Sequence, residues 1–257
     1  MQRILVTRPQ EQAGGLCRRL EALGIEAVAV PTVAIVPPSS FEVLDDAIHG
    51  LGRYQWAIFT SANGVRAFFN RRAVLATDGI LPSSLRWAAI GPATAAQLSA
   101  QGIEHAWIPT RYLSETLALQ LPDVAGRRIL RIRPEVTSPG LVEQLRARGG
   151  SVDEVVAYRT LEGPPGAGER LAEALARGID GVIFTSASTV RGFAQLLGAM
   201  GLARGLPSVE LIAIGPVTAA AIEVAGWHAA VVADEHDIEG IVRRLKERSE
   251  RHGAGVD

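Results

Sequence analysis

The chain has 257 residues and a formal net charge of −1, with 47% hydrophobic and 21% charged residues, a balance that excludes a mainly disordered protein. Because 27 acidic residues offset 26 Lys and Arg, it has no general positive field for nucleic acid or an anionic membrane. The longest apolar stretch, 27–36, is broken by Pro31 and is too short to span a bilayer. The single cysteine, Cys17, and the opening without a signal-peptide pattern predict a cytoplasmic protein.

Short apolar runs alternate with amphipathic helical segments in chain order. The first half predicts strands at 4–7, 26–30, 56–60, 87–91 and 105–108, and helices at 10–23, 62–69, 93–101 and 114–121. The second half predicts strands at 129–132, 152–156, 181–185, 211–215 and 229–232. This alternation is typical of an α/β protein in which helices cover both faces of parallel sheets.

Three sequence blocks occur twice, in the same order and 124 or 125 positions apart. They are Arg-Ile-Leu-x-x-Arg-Pro at 3–9 and 128–134, Ile-Phe-Thr-Ser-Ala at 58–62 and 183–187, and Ala-Ile-Gly-Pro at 89–92 and 213–216. The blocks indicate an internal duplication. The alternative is convergent use of similar strand-turn-helix signals.

Two Pro-rich segments follow the second strand of each copy, at 36–40 and 163–168. They predict that the chain crosses twice between two interlaced domains, one formed by 1–35 plus 165–257 and the other by 41–158, with linkers at 36–40 and 159–164. Each domain would carry five parallel strands in flavodoxin-like order, with an interdomain cleft. Two tandem domains with Pro-rich surface loops are the alternative.

Polar turns join several strands to the following helices, whereas glycine-rich nucleotide loops and metal-binding motifs are missing. The turns lie at 7–9, 60–63, 91–94, 133–135, 185–188 and 215–218. Helix N-termini favour anions, so together the turns predict a site for a polyanionic small molecule, although each also suits simple helix capping. Further positive charge would come from Arg8, Arg66, Arg131, Arg133 and Arg191, of which Arg66 and Arg191 also suit exposed helix positions.

Tyr158 lies where a buried strand runs into the second predicted linker. Its phenol is a neutral hydrogen-bond donor at pH 7 and suits protonation of a leaving group. A half-buried aromatic that shields the hinge is the alternative.

The set of motifs resembles the uroporphyrinogen-III synthase family. The matching segments are 6–9, 59–65, 90–95, 156–160, 184–190 and 214–219, in order along nearly the whole chain. The resemblance implies the twice-crossed architecture and a cyclising lyase of tetrapyrrole biosynthesis, the route to haem, sirohaem, cobalamin and chlorophyll. The implied reaction converts hydroxymethylbilane, a linear tetrapyrrole with eight carboxylates, to uroporphyrinogen III and water, with inversion of the terminal D ring.

The resemblance also implies partners and site residues. It implies a monomer without cofactor, metal, nucleic acid or membrane, in transient contact with hydroxymethylbilane synthase. Tyr158 matches the family tyrosine proposed to assist departure of the hydroxyl. Substrate contacts are expected from Arg8, Thr60, Ser61, Thr94, Arg133, Thr185, Ser186 and Thr218. The alternative function is a non-catalytic, two-lobed binding or sensing protein for a polycarboxylate small molecule.

Overall fold

Eleven strands and ten helices lie in residues 2–76, 81–202, 205–206 and 208–253, the part of the chain that the computed structural model describes. The strands are β1 Arg3–Val6, β2 Glu26–Ala29, β3 Val33–Val36, β4 Trp56–Phe59, β5 Arg86–Ala89, β6 Ala106–Trp107, β7 Arg128–Pro134, β8 Ser151–Glu162, β9 Gly181–Phe184, β10 Glu210–Ala213 and β11 Val231–Val232. The helices are α1 Gln10–Glu21, α2 Glu42–His49, α3 Ala62–Val74, α4 Pro92–Ser99, α5 Ser114–Gln120, α6 Gly140–Ala147, α7 Ala167–Ala176, α8 Ala187–Ala199, α9 Pro216–Val224 and α10 Ile238–Gly253. A short 3₁₀ turn, Leu51–Arg53, follows α2.

The strands form two sheets, each built from parts of both sequence copies. The five-stranded sheet has the order β11-β10-β9-β1-β2, and the six-stranded sheet has the order β3-β8-β7-β4-β5-β6. In both sheets, the first two strands of one copy pair in parallel with the last three strands of the other copy. The prediction of an α/β fold with parallel sheets is confirmed, and the five repeated strands follow the flavodoxin-like order.

The chain divides into two compact units, Met1–Ala34 with Thr160–Asp257, and Ile35–Arg159. The first expected linker, 36–40, lies outside the helices and strands apart from Val36, whereas most of the second, 159–164, belongs to a strand. Strand β3 ends at Val36, and residues 159–162 continue strand β8.

Apolar side chains cover both faces of each sheet. In β4, Ala57 and Phe59 face one hydrophobic cluster, while Trp56 and Ile58 face another on the opposite side. In the other unit, alternate residues of β1 are divided in the same way between two clusters. Burial on both faces explains why the strands read as continuous apolar runs, and it leaves the strand ends as the places for polar chemistry.

Helix α8 packs against the backbone that follows β2. A Cβ added at Gly192 would collide with the carbonyl oxygen of Thr32, which accepts the Gly163 N–H at 2.9 Å. The Thr32 hydroxyl in turn donates to the carbonyl oxygen of Thr189 at 2.8 Å. The buried Thr32 therefore joins α8 to the end of β2, and only glycine at 192 permits that approach.

We expect Gly192→Ala to lower the free energy of unfolding by about 1–3 kcal/mol, because the methyl group would push α8 away from Thr32. Gly198→Ala is the matched control on the same helix, since a Cβ there meets no atom within 4 Å. That change should be neutral or stabilising by up to about 1 kcal/mol. Thermal denaturation of both variants tests the packing, and equal effects would contradict it.

Candidate active site

Each unit carries a Thr-Ser turn at the carboxyl end of a central strand. Thr60 and Ser61 follow β4, and Ser61 caps α3 by accepting the Gly64 N–H at 3.0 Å. Thr185 and Ser186 follow β9, and Ser186 caps α8 through a reciprocal pair of bonds with Thr189, both 3.3 Å long. Both serines therefore perform the capping that their sequence context predicts.

The turn of the Ile35–Arg159 unit also meets Tyr158. The hydroxyl oxygens of Ser61 and Tyr158 lie 2.8 Å apart, and the tyrosine is 5% exposed. Burial raises the pKa of the Tyr158 phenol, while the hydrogen bond with Ser61 and the positive charge of Arg66 oppose that rise. The phenol is therefore neutral at pH 7, with a hydrogen-bonding partner beside it that favours its anion.

In the other unit, the hydroxyl groups of the Thr-Ser turn and the start of its helix bond to one another and to the turn's own backbone. The Ser186 hydroxyl lies 2.9 Å from the Ser188 hydroxyl, and the Thr189 hydroxyl donates to the Ser186 carbonyl oxygen at 2.7 Å. The position 125 residues before Tyr158 holds Val33, which is buried and apolar. The two related turns therefore differ in chemistry, since the tyrosine-serine pair belongs to one of them.

A Gly-Pro turn opens a further helix in each unit. Gly91 precedes α4 and Gly215 precedes α9, each followed by a proline at the first helical position. The threonines two residues after these prolines, Thr94 and Thr218, are buried in the first turn of the helix. These turns present helix N-termini to the strand-end edge of each unit, as the sequence predicts.

Aromatic rings lie against both glycines. A Cβ at Gly91 would lie 3.1 Å from the Tyr112 ring, and one at Gly215 would lie 2.9 Å from the His236 ring. Next to His236, Asp237 accepts the Gly240 N–H at 2.8 Å and caps α10. Asp237 is therefore a helix cap, and the neighbouring His236 covers the Gly-Pro turn.

The candidate arginines are already engaged with protein groups. Arg8 is half-buried and donates to Gln12 at 3.1 Å. Arg66 donates to Asn63, and to Gln97 at 2.8 Å. The exposed Arg191 donates to Glu162. Arg131 is fully buried, and Arg131 and Arg133 lie 2.9 and 3.2 Å from the same Glu154 oxygen. The sequence could not show this pair of arginines on one carboxylate, because the contact depends on the register between β7 and β8.

Two classes of site are not found in the described part of the chain. No three His, Cys, Asp or Glu side chains there lie together in a way that could hold a metal ion. None of the helices described is long and apolar enough to cross a membrane.

The fold and the polar turns together define an α/β protein of two interlaced units. The strand ends of this protein carry helix N-termini and one buried tyrosine hydroxyl. Residues 15–243 match the family described as "Uroporphyrinogen-III synthase HemD". A curated uroporphyrinogen-III synthase of Synechococcus elongatus is 32% identical over 95% of this chain and 94% of its own length, and one of Chlorobaculum parvum is 28% identical over 96% and 99%. The chain therefore belongs to the uroporphyrinogen-III synthase family.

Solved structures show the same fold. A Thermus thermophilus uroporphyrinogen III synthase, a mutant form, has a TM-score of 0.66 at 22% identity, covering 98% of this chain and 100% of its own. Uroporphyrinogen-III synthetase of Helicobacter pylori has a TM-score of 0.63 at 16% identity, with 96% and 100% covered. The family assignment confirms the resemblance seen in the sequence and indicates a cyclising lyase of tetrapyrrole biosynthesis.

The two serines provide a matched test of the site. Ser61→Ala and Ser186→Ala should each lower the free energy of unfolding by about 1 kcal/mol, because each removes a helix cap. Ser61→Ala should also raise the pKa of the Tyr158 phenol further, since it removes a hydrogen bond that favours the phenolate. An NMR titration of tyrosine labelled with ¹³C at Cζ measures that pKa, and an equal shift in both variants would contradict the arrangement.

Proposed function

We propose that this chain cyclises hydroxymethylbilane to uroporphyrinogen III, with inversion of ring D. Family membership supports the reaction, and the hydrogen-bonded pair of Ser61 and Tyr158 beside the N-terminus of α3 is the observation that supports its location. The alternative, binding of a polycarboxylate without turnover, has no observation that favours it over the synthase.

The first step is loss of the substrate's hydroxyl group. The Tyr158 phenol donates its proton to this hydroxyl as the carbon–oxygen bond breaks, so that water leaves and an azafulvene cation remains. Ser61 donates to the tyrosine oxygen as the phenolate forms, and the positive charge of Arg66 stabilises it. Because the Gly64 N–H donates to Ser61 Oγ at 3.0 Å, the serine proton is left free for the tyrosine.

Ring closure follows without a further catalytic group. The terminal ring attacks the cation through its substituted carbon, giving a spiro intermediate, then detaches and forms its bond again in the inverted sense. The inverted pyrrole ring then loses a proton and becomes aromatic again. This proton returns to the Tyr158 phenolate, so water is the only by-product. Because unassisted closure gives the uninverted type I isomer, the protein must hold the chain in one geometry and exclude water.

The substrate's carboxylates need hydrogen-bond donors more than they need a positive net charge on the protein. In one unit the N-termini of α3 and α4 offer backbone N–H groups together with Thr60 and Thr94. In the other, α8 and α9 offer them with Thr185, Ser186 and Thr218. Helix N-termini bind anions without a basic surface, which agrees with a chain whose net charge is −1.

Cellular location and assembly are also part of this proposal. The single half-buried cysteine agrees with a reducing compartment such as the cytoplasm. We propose that the enzyme acts as a monomer and meets hydroxymethylbilane synthase transiently.

The reaction is tested by a coupled assay in which porphobilinogen deaminase generates hydroxymethylbilane in place. After oxidation, chromatography separates the porphyrin isomers. We expect this chain to shift the product from type I to type III. Unchanged type I product from folded protein would contradict the synthase and leave binding without turnover.

Tyr158→Phe tests the proton donor. We expect kcat to fall by about 10²-fold and type III product still to form, because positioning of the substrate survives the loss of one donor. Tyr54→Phe is the matched control, since Tyr54 is a buried tyrosine of the same unit whose hydroxyl bonds Asp153 at 2.8 Å. Unchanged kcat in Tyr158→Phe, or an equal loss in both variants, would remove Tyr158 from the mechanism.

A further inference from the structure

A β-bulge lies directly at Tyr158. Along the parallel pair of β7 and β8, Arg133 is opposite Val156 and Pro134 is opposite Tyr158, so Ala157 is an extra residue in β8. Pro134 has no N–H to donate to a regular ladder, and prolines in strands are found at such irregularities. The bulge therefore has a local cause in the sequence.

The bulge decides which face of the sheet Tyr158 occupies. Successive residues of a regular strand point to opposite faces, so Val155 and Ala157 should share one face and Tyr158 should take the other. Instead Val155, Ala157 and Tyr158 all pack in one hydrophobic cluster, which also contains residues of α3. The extra residue turns the tyrosine to the side where Ser61 caps that helix, since a bulge re-aims the side chains beside it.

Arg133 bonds the backbone of β7 opposite the bulge. Arg133 Nη1 donates to the carbonyl oxygens of Pro134 at 2.9 Å and Glu135 at 2.7 Å. The Glu135 N–H in turn donates to the carbonyl oxygen of Tyr158 at 3.0 Å. The guanidinium of Arg133 therefore fixes the peptide group between Pro134 and Glu135, which bonds the tyrosine's own backbone, and also the carbonyl of the next peptide group.

Arg133 also forms an ion pair with a carboxylate of the neighbouring strand β8. Its Nε lies 3.2 Å from Glu154 Oε1, and Arg131 Nη1 donates to the same oxygen at 2.9 Å. Arg131 also donates to the Thr137 hydroxyl at 3.0 Å, and its side chain is 2% exposed. Because a buried guanidinium is costly without its carboxylate, this cluster has a strong preference for one arrangement.

We propose that Arg133, anchored by Glu154 and Arg131, is a positioning residue that holds the bulge and so aims Tyr158 at Ser61. The residue acts on the backbone of the tyrosine and does not bind a substrate carboxylate. The kinetic part of this proposal rests on the proposed synthase function, whereas the structural part does not.

The test combines Arg133→Met with Tyr158→Phe. Methionine keeps an unbranched apolar stem and removes every donor, so the bulge should relax and kcat should fall about 10-fold with little change in KM. In the Tyr158→Phe background the same change should cause no further loss of kcat, because its effect passes through the phenol. A loss that appears in KM, or that persists in full in that background, would make Arg133 a substrate ligand and overturn the proposal.

Arg128→Met is the matched control. Arg128 lies on the same strand and pairs with Asp153 of β8 at 3.1 Å, but at the opposite end from the bulge. Its replacement should leave kcat and the Tyr158 signal unchanged. Equal effects of the two variants would mean that any ion pair across these strands matters, which also overturns the proposal.

A second readout does not depend on activity. The chain contains three tyrosines, so ¹³Cζ labelling gives a spectrum in which Tyr158→Phe identifies the Tyr158 signal. Arg133→Met should shift that signal and its titration, and an unmoved signal would contradict the proposal even if the protein proved to make no type III product. Should Arg133→Met not fold, Arg133→Lys keeps a positive charge beside Glu154 but removes the planar guanidinium that bonds both carbonyl oxygens, and we expect a smaller shift of the same signal.

Discussion

The parallel pairing of β1 with β9 and of β4 with β7 is the constraint on which the rest of the structure depends. Each pairing joins a strand from one sequence copy to a strand from the other, as in the registers Leu5 to Val182 and Phe59 to Ile132. These central strands are buried on both faces, so their separation would expose two hydrophobic clusters at once. Neither sheet of this structure is therefore completed by a single sequence copy.

The exchange of strands also creates the candidate active site. Ser61 comes from the first copy and Tyr158 from the second, 97 positions apart, and they meet because β4 pairs with β7 and β7 with β8. The duplicated turn has diverged at Gly64, whose counterpart is Thr189. A Cβ at Gly64 would lie 3.4 Å from Ser61 Oγ and 3.8 Å from the Tyr158 ring. Glycine leaves the serine open to the tyrosine, whereas Thr189 closes the related turn into a capping box.

Strand positions could be predicted from the sequence because buried parallel strands are nearly continuous apolar runs. The sequence does not indicate strand β3, because the strand lies between Pro31 and Pro37, which are typical of loops. The full length of β8 was hidden by its bulge, which interrupts the regular alternation of side chains between Val156 and Tyr158. The repeated strands are therefore predictable from the sequence, whereas strand β3 and the last residues of β8, at the unit boundaries, are not.

The sequence placed Ser61, Tyr158 and Arg133 at strand ends but could not give their contacts. The hydrogen bond between Ser61 and Tyr158 needs the order of strands and the bulge, neither of which is visible in a short motif. A charged residue at a turn suggests a ligand contact, and the structure adds that Arg133 forms an ion pair with Glu154 and donates to two backbone carbonyl oxygens. Side-chain partners across strands depend on register, which a single sequence leaves open.

The most direct test of the exchanged architecture compares two fragments of similar length. Residues 35–159 contain the whole Ile35–Arg159 unit, whereas residues 1–125 contain one complete sequence copy. Urea unfolding followed by circular dichroism should show a cooperative transition for 35–159 and none for 1–125. A cooperative transition for 1–125 with none for 35–159 would mean that the copies fold in tandem, and it would contradict the account.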